Sequence, residues 1–162
     1  MVSNKIEYFF ITSDSFYYND IVKLRYEVFY RPSRTGIDAV FDNLEDNSYH
    51  LVATLNDRAV GYLRLTVDGD KGQLSQFVVE QSMKGKLGIA KGLFDRMIKK
   101  AEENSVHELW GEIRLHVAQV AKRFGFDVSE EIFPSKKTGI PHRMMKKNIW
   151  VLILVGACCI IK

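Results

Sequence analysis

Leu74-Ser75-Gln76-Phe77-Val78-Val79-Glu80, followed after three residues by Lys84-Gly85-Lys86-Leu87-Gly88-Ile89-Ala90, is the stretch on which the fold of this chain turns. The first run is apolar, aromatic and β-branched, and reads as a strand. The second holds two glycines and two lysines and opens onto an amphipathic helix reaching about Asn104, with Leu93, Phe94, Met97, Ile98 and Ala101 at helical spacing. Strand, basic glycine loop and helix start together make an anion cradle. Glycine lets the backbone approach a ligand closely. The first N–H groups of a helix have no intrahelical partner, and the helix dipole adds to the charges of Lys84 and Lys86. A pyrophosphate suits that chemistry. The loop is not a Walker loop, because no Gly-Lys-Ser/Thr ends it, and it lacks the Gly-x-Gly-x-x-Gly spacing of a dinucleotide fingerprint. Taken alone, the same residues also describe an ordinary strand-to-helix turn with solvated lysines.

Upstream of this stretch, Ile6 to Thr12 reads as a strand. A helix capped by Asn19 or Asp20 runs to about Tyr30, with Ile21, Leu24, Val28 and Phe29 on one face, and Pro32 stops it. An acidic irregular segment follows, with Asp38, Asp42, Glu45 and Asp46. Tyr49 to Leu55 and Ala59 to Val67 pair as a hairpin around Asn56-Asp57-Arg58. Downstream, Glu108 to Ile113 is a short strand, and Leu115 to Phe124 is a helix closed by Gly125. Val128 to Phe133 and Arg143 to Lys147 form a last strand pair around a long loop. The order β-α-β-β-β-α-β-α-β-β describes an α/β (α+β) domain with an antiparallel N-terminal meander and crossover helices later.

Composition narrows the classes. The 162 residues suit one domain, and 46% hydrophobic content supports a core. A net charge of +3 makes no case for nucleic acid. The two cysteines, Cys158 and Cys159, are neighbours and cannot staple distant segments. With no signal peptide at Met1 to Lys5, the expected location is the reducing cytoplasm. No Cys/His cluster has metal-ligand spacing and no Gly-x-Ser-x-Gly elbow is present.

Four further segments carry a family resemblance. They are Arg25-x-x-Val28-Phe29 on the first helix, Asp42-x-x-Glu45-Asp46-x-x-x-His50, Val60-Gly61-x-x-Arg64-Leu65, and Gly139-Ile140-Pro141-His142-x-x-Met145. On these, from about Ile6 to Lys147, the chain resembles the GNAT superfamily of acyl-CoA-dependent N-acyltransferases, and within it the ElaA-like branch. The resemblance implies a central mixed, mostly antiparallel sheet of about seven strands flanked by about four helices. It implies acetyl-CoA as acyl donor, an amine-bearing acceptor, no metal, and direct attack of the amine on the thioester. It places the pyrophosphate on Lys84, Gly85, Lys86, Leu87, Gly88, Ile89 and Ala90, and the pantetheine arm on the backbone of Phe77, Val78 and Val79. Leu87 is one residue more than the family's loop usually holds.

The same resemblance exposes a departure. Many members carry a Tyr four residues before the final Gly-Phe, where it can protonate the leaving thiolate; here that position is Ala121. His116 lies about a helical turn away and is a candidate for the role, against a plain surface or packing histidine. For the base, Glu80 ends the thioester strand, His50 opens a strand, and His142 sits in the Gly-Ile-Pro-His segment. Asp42, Glu45 and Asp46 are candidates to attract a cationic amine. Two other readings stand beside the transferase: an acyl-CoA-binding module without turnover, and an acyl-homoserine-lactone synthase-like enzyme, which the Gly-Ile-Pro-His ending disfavours.

Domain organisation is expected as 1–148 for the transferase and 149–162 for an apolar extension. The run Ile149 to Ile161 falls short of the ~18 residues of a membrane span. Core packing, a partner contact or a weak membrane contact through 149–161 stay open for it, and so does a homodimer.

Overall fold

The structure is a computed structural model that describes residues 5–149 except Leu87. Leu87 and all of the apolar extension beyond Ile149 therefore lie outside the described residues. Eight strands form one sheet: β1 (Glu7–Ile11), β2 (Ser48–Leu55), β3 (Arg58–Asp68), β4 (Lys71–Val79), β5 (Glu108–Arg114), β6 (Asp127–Val128), β7 (Phe133–Pro134) and β8 (Pro141–Asn148). Their order across the sheet is β1-β2-β3-β4-β5-β8-β6, with β7 also pairing β8. Every pairing is antiparallel except β4 with β5. Three α-helices, α1 (Tyr18–Arg25), α2 (Ile89–Glu103) and α3 (Ala118–Arg123), and a π-helical turn at Tyr26–Tyr30 flank it. The mixed, mostly antiparallel sheet is the one expected.

Alternation along the strands builds three layers. Leu51, Ala53, Leu63 and Leu65 pack against Leu93, Phe94, Met97 and Ala101 of α2. Val52 and Tyr62 face the other way and pack with Ile21 of α1. The hairpin between β2 and β3 turns on Asn56 and Asp57, both at positive φ (50° and 59°), as a two-residue turn requires.

Two boundaries differ from expectation. Helix α1 starts at Tyr18 with no side-chain cap, because Ser15 already accepts the Tyr18 N–H through its carbonyl (3.0 Å) and the Tyr17 N–H through its hydroxyl (3.3 Å). The expected strand Val128 to Phe133 divides into β6 and β7. Ser129 passes its N–H to Met144 O (2.9 Å), but its hydroxyl then takes the Glu131 N–H (3.1 Å), and this local turn competes with the ladder.

The feature that positions the site is the seam between β4 and β5. Their parallel ladder holds only Lys71–Gln73 against Glu108–Trp110. Beyond it β4 and β5 make no further ladder pairs. On its other edge β4 bulges: Tyr62 faces Val78 and Arg64 faces Ser75, so Gln76 and Phe77 together oppose Leu63. Gln76 sits at φ 58°, the left-handed region that a non-glycine residue enters at a cost. Just past the last paired residues, β5 comes so close to β4 that a Cβ on Gly111 would stand 2.4 Å from Leu74 O. Gly111→Ala should therefore cost about 1–3 kcal/mol, the usual range for overpacking. Urea unfolding measures it, and an unchanged midpoint would mean that the seam is looser than described.

Candidate active site

Past this ladder the two strands line a cleft of about 800 Å³. Its walls are β4 from Gln73 to Val79, β5 from Glu112 to Arg114, the glycine loop with the start of α2, and one side of α3. The π turn (Val28 to Tyr30) and the 135–138 loop close one end.

Helix α2 begins with Gly88 at φ 63° and no side chain capping it. Gly85 is also left-handed (φ 72°), and nothing stands within 4 Å of a Cβ at either glycine. Backbone conformation, not crowding, asks for glycine here. The Ile89 N–H donates weakly to Lys86 O (3.4 Å), and no side chain caps the rest of the first turn, so an anion can be received there. Lys84 and Lys86 are exposed on the cleft rim, and Lys91, also on the rim, pairs with Asp95.

Just past the end of β4, Glu80 donates its N–H to Val60 O (2.8 Å). Antiparallel ladders alternate, so Val79 turns its N–H away from β3, towards the cleft. Phe77 lies against Phe94 (5.0 Å between centroids), and Phe94 stacks on Phe124 (4.6 Å), so β4, α2 and α3 share an aromatic floor.

The structure thus brings Phe77, Val78, Val79, Lys84, Gly85, Lys86, Gly88, Ile89, Ala90, His116 and His142 to one cleft. Glu80 is elsewhere: its carboxylate pairs with Arg58 and accepts the Ser82 hydroxyl (2.7 Å). His142 is half-buried, and its Nδ1 donates to Ile140 O (2.7 Å), which leaves Nε2 of the neutral ring as an acceptor. His116 is exposed at the turn between β5 and α3. Partial burial first, then the charges of Lys84 and Arg114, push its pKa below the usual histidine value. Ala121 is fully buried in the core, while its neighbour Val120 lines the cleft.

The acidic segment and His50 have a different task from the one expected. Arg25 (0% exposed) holds Glu45 through Nη1–Oε2 (3.1 Å) and Nη2–Oε1 (2.7 Å) and donates to Val40 O (2.6 Å). Arg64 (2% exposed) holds both Asp42 oxygens (2.8 and 2.9 Å) and Glu45 Oε1 (2.7 Å). Two guanidinium and two carboxylate groups balance. Arg25 Nε also reaches Gln76 Oε1 (3.2 Å), and Arg64 Nε reaches Ser75 Oγ (3.0 Å), so the cluster grips the bulge of β4. His50 Nε2 donates to Glu45 O and its Nδ1 takes the Tyr62 hydroxyl, both at 2.7 Å. With both nitrogens engaged, His50 has no proton-accepting site left for a substrate. Asp46 is exposed and outside the cleft lining. Sequence reasoning put Gln76 in the strand beside the cleft but passed over Arg114 and Lys136; of these two, only Arg114, a charge ending an apolar strand, left a signal.

Burial raises the Asp42 and Glu45 carboxyls, but hydrogen bonds and charge from Arg64 and Arg25 respectively outweigh it and hold both below the usual carboxylate range. Burial also lowers His50. Tyr18 donates to Glu45 Oε2 (2.8 Å) and is pushed up to about 12, first by burial and then by that bond.

With the geometry in place, the comparisons can be stated. Residues 19–149 match the family model for the acetyltransferase (GNAT) domain. The chain belongs to that family and is an acyltransferase. A comparison with curated proteins finds no match. Among solved structures, an acyl-CoA N-acyltransferase from Pseudomonas aeruginosa is similar at TM-score 0.72 and 20% identity, over 88% of this chain and 99% of that one. Escherichia coli ElaA superposes at TM-score 0.73 and 18% identity, over 88% and 99%. An aminoglycoside 6'-N-acetyltransferase complexed with coenzyme A does so at 0.72 and 13%, over 89% and 97%. At these identities the likeness concerns the fold. Among the described residues, no group of His, Cys, Asp or Glu side chains could hold a metal ion, and no helix is long and apolar enough to cross a membrane.

Two outcomes follow for the buried cluster. Glu45→Ala strands Arg25 without a carboxylate and leaves Arg64 with Asp42 alone, and should cost about 3–5 kcal/mol in urea unfolding, as breaking a buried pair does. The wild-type melting temperature should be level above pH 7. It should begin to fall below about pH 6.5, where the unfolded chain protonates His50 while the fold resists it, and fall more steeply below about 4.5 as the unfolded chain protonates Asp42 and Glu45 first. A flat profile down to pH 4 would contradict the assignment.

Proposed function

We propose that the cleft binds acetyl-CoA and that the protein moves the acetyl group to an amine. The observation that carries this reading is the early end of the β4–β5 ladder, which leaves a strand-wide gap leading to an uncapped helix N-terminus. The pyrophosphate would lie on Gly85, Lys86, Gly88, Ile89 and Ala90, with Lys84 beside it, where backbone N–H groups and helix dipole converge. Leu87, outside the described residues, belongs to the same loop. The pantetheine arm would fill the gap as an added strand against Phe77, Val78 and Val79, hydrogen-bonded where the edge is free, at Val79. The Val79 N–H would polarise the thioester carbonyl.

The amine nitrogen attacks the carbonyl carbon, the C–S bond breaks, and coenzyme A leaves as a thiolate. The proton released by the new amide goes to Nε2 of His142, whose other nitrogen is fixed by Ile140 O. His116, neutral at pH 7 on account of its lowered pKa, supplies a hydrogen bond to the departing sulfur where Ala121 supplies none. Glu80, committed to Arg58, has no part in this scheme.

Calorimetry with coenzyme A and a thiol-release assay test the proposal. Lys84→Glu combined with Lys86→Glu should weaken coenzyme A binding at least about tenfold, the factor for one lost charge-assisted bond; unchanged affinity would remove the cradle. His142→Ala should lower kcat by about 10²–10⁴-fold while leaving coenzyme A affinity near wild type. An unaffected kcat would transfer the base to another group.

A further inference from the structure

Arg64 and Arg114 line the cleft and Arg25 stands behind it on Gln76, and their partners differ. Arg25 and Arg64 are neutralised by Glu45 and Asp42. Arg114 has no carboxylate among the described residues. It donates to Val28 O and Phe29 O (3.0 Å each), lies over the Phe29 ring (5.0 Å), and its Nε is buried without a partner. A half-buried cation facing only carbonyls and a ring is poorly compensated.

Arg114 shares the cleft with a second cation, Lys136. Arg114 pairs across the ladder with His142, which itself pairs with Phe133 at the root of the 135–140 loop. That loop carries Lys136, exposed on the cleft and without an ion pair among the described residues. It is pinned over the cleft end by Lys137, which donates to Ala39 O (2.9 Å) and Phe41 O (3.3 Å). Of the two carboxylates lining the cleft, Asp42 is taken by Arg64, and only Glu112, two residues before Arg114, remains. Cations therefore predominate at this end, with one acid available for an ammonium.

We infer that the acceptor is a small amine that also bears a carboxylate, which Arg114 and Lys136 receive while Glu112 draws the amine. This deepens the acetyl-transfer reading and rests on it. A polycation, such as a polyamine, would meet the free charges of the wrong sign. Because the pinned loop roofs this end, the carboxylate is that of a free amino acid rather than of a peptide chain.

Matched amines separate the alternatives in the thiol-release assay: an amino acid, its amide, a dipeptide and a polyamine. The free acid should exceed the amide by about 10- to 100-fold in kcat/KM, the factor that one charge-assisted hydrogen bond supplies. Arg114→Met, and separately Lys136→Met on the exposed loop, should raise KM for the acid and bring the acid-to-amide ratio towards one, with Arg114→Lys restoring part of it. A merely structural Arg114 would lower both substrates equally. Calorimetry of the coenzyme A-loaded protein with an N-acetyl amino acid and its amide reads the same preference without turnover. If the amide binds as tightly as the acid, or the polyamine or dipeptide outruns the amino acid, the inference falls and acetyl transfer stands. If no amine releases thiol yet the acid binds better than the amide, the carboxylate site stands and the transfer reading falls.

Discussion

The largely buried chain of ion pairs Arg25–Glu45–Arg64–Asp42 is the interaction on which the rest of the molecule depends. It joins α1, the irregular 40–47 segment, β3 and the bulged part of β4 at one point. Taking four charges out of water is expensive, and mutual attraction repays it only when every lone pair and N–H has a partner. Here the partners are nearly complete, with Val40 O, Ser75 and Gln76 filling the remaining positions on the guanidinium groups. An apolar core of equal volume could hold these elements together at least as firmly. It would not dictate their register, because hydrophobic contact is non-directional.

Direction is what the site needs. Gln76 occupies a left-handed backbone conformation and is retained there by Arg25 on one side and Tyr30 OH (3.5 Å) on the other. Such strain persists only where the surroundings over-determine it. The bulge bends β4, and the cleft opens where the ladder stops. The cluster also neutralises Asp42 at the cleft wall and holds Glu45 outside it, so that cations predominate at that end. One polar cluster thereby sets both the shape of the site and its electrostatic sign.

The strand, glycine loop and helix from Leu74 to Glu103 were legible because each signal is local. Period-two and period-3.6 patterns lie side by side, and two glycines mark left-handed turns. The hairpin at Asn56-Asp57 was legible for the same reason. The ion-pair chain was not, although all its members were singled out: Arg25 and Glu45 are twenty residues apart, and Arg64 and Asp42 twenty-two. Their spacing follows no helical or strand period, so acids in a loop read as solvated or ligand-facing. The division of Val128 to Phe133 depends on one serine hydroxyl competing with a ladder, which apolar patterning does not register. The π turn after Arg25 is equally silent, since its residues continue the helical pattern into Tyr30. Placing His116 and His142 on one cleft while Glu80 faced Arg58 required the strands' relative tilt.

The three-residue ladder between β4 and β5 has a mechanical meaning as well. The sheet is in effect two sheets, β1 to β4 and β5 to β8, spliced at Lys71–Gln73 and by the aromatic floor of Phe77, Phe94 and Phe124. An extended ligand arm in the gap would act as the splice's missing strand. Its binding free energy would then be felt as added cooperativity between the halves, scaling with the logarithm of ligand concentration. In that sense the protein is an interrupted β-sheet, and an arm of the proposed acyl donor laid in the gap would complete it as a ninth strand.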